Sequence, residues 1–115
     1  MAFTRVLAQA TVSELERSIT WYATLFGRQP DARPMPGLVE WHLGKSHGVQ
    51  VWAEPDRAGN SSMVLDESEF AELIARLDEA GLDHDRPEDV TASRILALVD
   101  PDGNRVVVSG AFADA

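Results

Sequence analysis

The 115-residue chain contains no cysteine, which excludes disulfides, thiolate nucleophiles and thiolate metal sites. It has no apolar run near the roughly 18 residues that a membrane span needs. The opening "MAFTRVLAQATV" lacks the apolar centre and small-residue cleavage pattern of a signal peptide, so a cytoplasmic location is expected. Neither G-x-x-x-x-G-K-[ST] nor G-x-G-x-x-G occurs, which removes the nucleotide-phosphate loops. No serine or threonine sits in a nucleophile-elbow context with His and acidic partners. Basic residues are scarce: ten Lys and Arg against nineteen Asp and Glu leave a net charge of -9. Nucleic acid needs a basic footprint and is disfavoured as a partner. The acidic excess serves solubility first, and attraction of a cationic small molecule is its second use.

What is present is clear hydrophobic patterning in a chain long enough for one domain, residues 1–115. "RVLAQATV" alternates, with Val6, Ala8, Ala10 and Val12 on one face and Arg5, Leu7, Gln9 and Thr11 on the other, which predicts a strand. "SELERSITWYATLFG" predicts a helix. Ser13 and Glu16 have capping-box spacing, Leu15, Ile19, Tyr22 and Phe26 form the apolar stripe, and Gly27 stops it. A proline-rich connection with room for a short edge strand follows. "LVEWHL" and "GVQVWAE" then read as two strands joined by a hairpin, and "PDRAGNS" as a polar linker.

The plan then recurs. "SSMVLD" is a strand and "ESEFAELIARLDEAG" a helix, with Asp66 and Glu69 at capping-box spacing and Phe70, Leu73, Ile74 and Leu77 as its stripe. Gly81 stops it. After the connection "LDHDRPEDVTA", the strands "SRILALVD" and "RVVVSG" flank the turn "DPDGN", where Pro101 and Gly103 suit the central positions. Capping, stripe and glycine stop recur in the same order. One domain of two similar modules is expected, about residues 1–56 and 57–115.

"VSELERSITWYATLFG" resembles the first-helix signature of the vicinal oxygen chelate superfamily, which includes glyoxalase I, bleomycin-resistance proteins and extradiol dioxygenases. "DPDGNRVVV" resembles that superfamily's turn into its last strand. The two motifs lie near opposite ends, so the resemblance spans nearly the whole chain. It implies an α+β fold in which two βαβββ modules form a curled, mixed and antiparallel sheet. Helices would lie on the outer face and a ligand cavity on the inner one. Val6, Ala8, Val49, Val51, Met63, Leu65, Val106 and Val108 would then face the helices. Arg5, Leu7, Gln9, Gln50, Trp52, Asn60, Ser62, Arg105 and Val107 would line the hollow, although solvent is the commoner surrounding for a strand's second face.

Metal-using members of that superfamily carry one His or Glu ligand on each of four strands. The resemblance places those positions on Leu7, Gln50, Asn60 and Val107. Two of these have no donor atom, and the other two offer only amide carbonyls, poor ligands for zinc, nickel or iron. No metal site and no cofactor are expected. Among the histidines, His47 and His84 read as surface residues. His42 differs, because Glu40 and His42 share a face of "LVEWHL" and a His–carboxylate pair can move protons near neutral pH. An exposed surface pair is the commoner use of that spacing. Trp52 shares the face of Gln50 and reads as ligand-facing. Trp41 points the other way and reads as packing, and Trp21 and Tyr22 read as helix–sheet or subunit contacts.

The expected function is metal-independent binding of a small organic molecule, cationic or aromatic, resembling bleomycin-resistance sequestration. The expected ligand-binding residues are Gln9, Glu40, His42, Gln50, Trp52, Asn60 and Arg105, with Glu40 and His42 the only catalytic candidates. The family likeness also implies a homodimer. A glyoxalase-like lyase or isomerase, or a dioxygenase-type enzyme, is the alternative, and an interaction module without a ligand is a third. No nucleic acid or membrane partner is expected.

Overall fold

Alternation in "VLAQATV" makes a strand with one face apolar, and the 3.6-residue stripe that follows makes the helix that covers it. The structure, a computed structural model, describes residues 2–90 and 93–111. The elements are β1 (Val6–Val12), α1 (Leu15–Phe26), β2 (Ala32–Met35), β3 (Leu38–His42), β4 (His47–Ala53), β5 (Ser62–Asp66), α2 (Phe70–Ala80), β6 (Glu88–Asp89), β7 (Ser93–Val99) and β8 (Arg105–Ala111). Each half is therefore a β-α-β-β-β unit in an α+β fold. The expected edge strand in the proline-rich connection is β2. One turn of 3-10 helix, Pro55–Arg57, stands in the polar linker, and the two-residue β6 was not anticipated. Part of the connection around Thr91 and Ala92 and the end of the second module, 112–115, lie outside the described residues.

The strands form two four-stranded sheets of order β1-β4-β3-β2 and β5-β8-β7-β6. The outermost pairs, β1 with β4 and β5 with β8, are parallel, and the remaining pairs are antiparallel. A helix covers one face of each sheet. Ile19, Tyr22 and Leu25 from α1 and Phe70, Leu73 and Leu77 from α2 are buried against Val12, Val39, Trp41, Val51, Leu96 and Val106. Trp41 is fully buried and donates its indole N–H to the Arg28 carbonyl at 2.9 Å. Its ring lies 6.1 Å from Tyr22 and 5.3 Å from Phe26, aromatic pairs worth about 0.5–1.5 kcal/mol each beyond burial. Both helices end on the expected glycines in the left-handed region, Gly27 at φ 73° and Gly81 at φ 70°.

Three expectations fail locally. Neither capping box forms: the residues preceding the helices are Glu14 and Glu69, and neither makes a side-chain cap. A carboxylate from the other half draws Ser13 away, as its N–H donates to Asp102 Oδ2 at 3.0 Å and its hydroxyl donates to Asp102 Oδ1. At α2 the Glu69 N–H is taken by Glu67 Oε1 at 2.9 Å rather than by Asp66. Val6, expected in the core, is 72% exposed, because the start of β1 borders an opening between the halves. His84, expected at the surface, is half-buried; its side chain is 12% exposed and is held between the Asp85 carbonyl and Asp78 Oδ1, each at 2.7 Å.

The turn "DPDGN" joins the two halves. Asp100 Oδ1 accepts the N–H groups of Asp102 and Asn104, closing the turn on itself. Asp100 Oδ2 accepts the Tyr22 hydroxyl from α1 at 2.8 Å. Asn104, fully buried, donates to the Thr11 carbonyl of β1 and to Asp100, each at 2.8 Å, and accepts the Ser61 N–H at 2.7 Å. Gly59 packs under this turn: a Cβ there would sit 2.5 Å from the Asp102 carbonyl oxygen, and its φ of 88° already disfavours a side chain. Among the described residues no helix is long and apolar enough to cross a membrane.

Candidate functional site

With both helices on one face, strand alternation sends every second side chain to the helix-free face. Register then assembles them into rows across β1, β4 and β3. Leu7, Gly48 and His42 form one row, Gln9, Gln50 and Glu40 the next, and Thr11, Trp52 and Leu38 the third. The middle row is hydrogen-bonded end to end. Gln9 Nε2 donates to Gln50 Oε1 at 3.1 Å, and Gln50 Nε2 donates to Glu40 Oε2 at 2.6 Å. His42 Nε2 closes the chain by donating to Glu40 Oε1 at 2.9 Å.

The electrostatics follow from those bonds. Glu40 is only 6% exposed. The hydrogen bond from His42, then that from Gln50, hold its carboxyl below the ordinary carboxylate range, against the opposing effect of burial. Arg5 adds a smaller attraction. The face therefore carries a fixed negative charge at neutral pH. His42, its side chain 39% exposed, is oriented by that carboxylate with Nδ1 left free of it. On the opposite, packed side, burial and then Asp100 push the Tyr22 hydroxyl far above the usual phenol range, so it remains a donor.

Trp52 is half-buried in the adjacent row, and its indole N–H donates to Glu54 Oε2 at 2.9 Å. Beside it opens a polar hollow of about 620 Å³ lined by Gln9, Thr11, Glu54, Asp56, Arg57, Asn60 and Ser61. Gln9 belongs both to this hollow and to the hydrogen-bonded row. Five expected residues, Gln9, Glu40, His42, Gln50 and Trp52, thus lie together on the first sheet. Asn60 reaches the hollow from the loop before β5. Arg105 is exposed at the start of β8, paired in register with Ser62 of the second sheet, and touches none of the five. Sequence reasoning missed Glu54, although it follows Trp52 at strand spacing and so shares its face. It also missed Asp56 and Arg57, whose position depends on the short helix that no periodicity announced.

The four positions where the resemblance implies metal ligands do not fit a metal. Leu7 and Val107 carry no donor, the amide of Gln50 is already bonded on both sides, and Asn60 stands in a loop. Among the described residues no three His, Asp or Glu side chains converge as a metal ion requires.

No protein-family model matches the sequence, and no curated protein matches it. Solved structures do match. A glyoxalase/bleomycin resistance protein from Catenulispora acidiphila is similar at 20% identity over 94% of this chain and 98% of its own, with a TM-score of 0.87. An antibiotic binding protein from Streptomyces sp. CB03234 is similar at 22% identity over 97% of this chain and 99% of its own, with a TM-score of 0.80. A bleomycin resistance determinant encoded on the transposon Tn5 is similar at 19% identity over 93% and 97%, with a TM-score of 0.78. At these identities the likeness is one of fold: the chain has the vicinal oxygen chelate architecture of glyoxalase and bleomycin-resistance proteins, with its two sheets unclosed.

Proposed function

We propose that this chain, which has the fold of glyoxalase and bleomycin-resistance proteins, binds a small cationic aromatic molecule on its helix-free face without a metal. The observation that carries this reading is the Gln9–Gln50–Glu40–His42 row, which keeps a carboxylate charged on an open face one strand row from Trp52. A fixed negative charge beside an indole recognises an organic cation with a flat body. Similar structures named for antibiotic binding and bleomycin resistance support the same class of guest. The domain, residues 1–115, is proposed to act as a homodimer that covers this face. The chain forms a slab 43 × 39 × 23 Å across, and Val99 stands 60% exposed on its second sheet. Asn60 and Arg105 would meet the guest from the edges of that enclosure.

Calorimetric titration with bleomycin and a panel of cationic aromatic compounds tests the reading. Saturable binding is expected, weakened about tenfold by Glu40→Gln or Trp52→Ala, the loss of about 1.4 kcal/mol of attraction. Binding left unchanged by both variants, or no saturable binding at all, would sink it. A second reading rests on the His42 geometry. Held through Nε2 by a charged carboxylate, its Nδ1 could act as a general base in a lyase or isomerase reaction. Isomerisation of the hemithioacetal of an α-oxo aldehyde to the α-hydroxy thioester that His42→Ala abolishes would favour that enzyme over the binder.

A further inference from the structure

A more apolar cavity lies away from the helix-free face. It opens between the two halves, has a volume of about 570 Å³, and is lined by none of Gln9, Glu40, His42, Gln50 or Trp52. Strands β1 and β5 form the facing edges of their sheets and are tied together at the end where Thr11 meets Gly59, Ser61 and Asn104. Toward Val6 and Asp66 the seam gapes, and its floor is the protein core itself. Leu25, Leu73 and Val108 are 2%, 3% and 2% exposed, yet all three border the cavity. At the mouth, Val6 and Val64 stand 72% and 68% exposed. A volume in the range of ordinary small-molecule pockets, about 300–1,000 Å³, with an apolar floor beside a set of charged groups, is the form such sites take.

The charged groups at the cavity are unequal. Arg76 is already committed, because its guanidinium donates to the Thr24 carbonyl at 3.2 Å and the Leu25 carbonyl at 2.7 Å, closing the C-terminal end of α1. Asp66 and Glu67 lie on the cavity lining, Glu67 Oε1 also accepting the Glu69 N–H at 2.9 Å, in a chain of net charge -9. We propose that this seam is a second binding site, taking a small organic cation whose apolar body fills the gap and whose charge rests between Asp66 and Glu67. It is independent of the helix-free face, so either site can fail without the other.

The probe is rhodamine 6G, an aromatic cation, with the anionic dye anilinonaphthalene sulfonate as its comparison, titrated into ¹⁵N-labelled protein. Rhodamine 6G is expected to shift the backbone amides of Leu25, Leu73 and Val108 saturably, and the anion to bind at least tenfold more weakly. The exposed rim substitutions Asp66→Asn with Glu67→Gln are expected to weaken the cation about fivefold, as two partly screened charges would. Val64→Arg, on an exposed position that leaves the core untouched, is expected to abolish seam binding. Trp52→Ala is expected to leave it unchanged. The proposal is overturned by shifts confined to Gln9, Gln50 and Trp52, by equal binding of the anion, or by an affinity indifferent to the rim charges. It is equally overturned by a seam that takes no probe because a second copy of the chain covers it, seen as concentration-dependent broadening of the same amides.

Discussion

Replacing Asn104 by alanine isolates what holds the two halves together. The side chain is fully buried and makes three hydrogen bonds, to the Thr11 carbonyl, Asp100 Oδ2 and the Ser61 N–H. One of those partners, Thr11, lies across the seam, so the substitution does more than delete neutral bonds. A typical net bond is worth about 1 kcal/mol, and a buried partner left unsatisfied costs about 1–3 kcal/mol instead. Asp100 Oδ2 keeps the Tyr22 hydroxyl and the Thr11 carbonyl keeps the Gly59 N–H, which leaves the Ser61 N–H as the unsatisfied loss. The sum is about 3–5 kcal/mol, against a total of about 6–17 kcal/mol for a domain of this length. In a thermal melt that is a drop of about 12–20 °C. Urea unfolding followed by tryptophan fluorescence and by circular dichroism gives the free energy directly. The two probes are expected to separate in the variant, because Trp21, Trp41 and Trp52 all report on the first half. Asn104→Asp retains the acceptor for Ser61 but sets a carboxylate against Asp100, and is expected to be at least as damaging. A loss under 1 kcal/mol for Asn104→Ala, with coincident probes, would refute the idea that this turn clamps the halves.

Other substitutions have outcomes of definite sign. Ser18 is fully buried in α1 and its hydroxyl has no hydrogen-bond partner among the described residues, so Ser18→Ala is expected to be neutral or stabilising by up to about 1 kcal/mol in the same urea experiment. Glu40 titrates below its ordinary 4.5 in the folded state, so its stabilising contribution is present above that value and lost as pH falls through the folded pKa. Glu40→Gln should flatten the acid limb of a stability–pH profile, and an unaltered limb would count against the bonded row. His84 has the opposite sign: the Asp85 carbonyl, then Asp78, raise it above 6.5 despite burial. Its contribution is complete below 6.5 and lost as pH rises through the folded pKa, so His84→Gln should remove that alkaline decline. Gly59→Ala should cost more than about 1 kcal/mol, combining a positive φ with a Cβ 2.5 Å from the Asp102 carbonyl, and a soluble variant of unchanged melting temperature would contradict it.

Periodicity made the elements readable and could not make their ends readable. The stripe through Ile19 and Tyr22, the glycine stops, and the alternation in β1, β4 and β8 are local consequences of helix and strand geometry, and each appears where its pattern stood. The capping boxes failed to competing partners: at α2 Glu67 takes the Glu69 N–H, and at α1 the serine answers to a stronger partner within reach. For Ser13 that partner is Asp102, eighty-nine positions later. No local spacing rule can register a carboxylate delivered by another half of the fold. Val6 failed similarly, since alternation assigns a face and says nothing about whether a neighbouring strand closes over it.

The candidate site divides along the same line. Glu40 and His42 were legible because strand spacing alone puts them on one face. Their bond to Gln50 and Gln9 was not, because it depends on the β1–β4–β3 register, which aligns Gln9, Gln50 and Glu40 in one row. That register has a chemical consequence that composition hides. Glutamine cannot hold a divalent metal as a carboxylate does, but it can donate to one carboxylate while accepting from the next amide. Gln50 does both, so a position that reads as a missing metal ligand is a residue that, after His42, helps keep Glu40 ionised. Substituting Gln50 by glutamate would set two carboxylates at hydrogen-bonding range with no donor between them. One of the pair is then expected to titrate well above the ordinary carboxylate range, a change that carbon-detected NMR of the side-chain carboxyls would read directly. Two unperturbed titrations in Gln50→Glu would mean that the row is not preorganised.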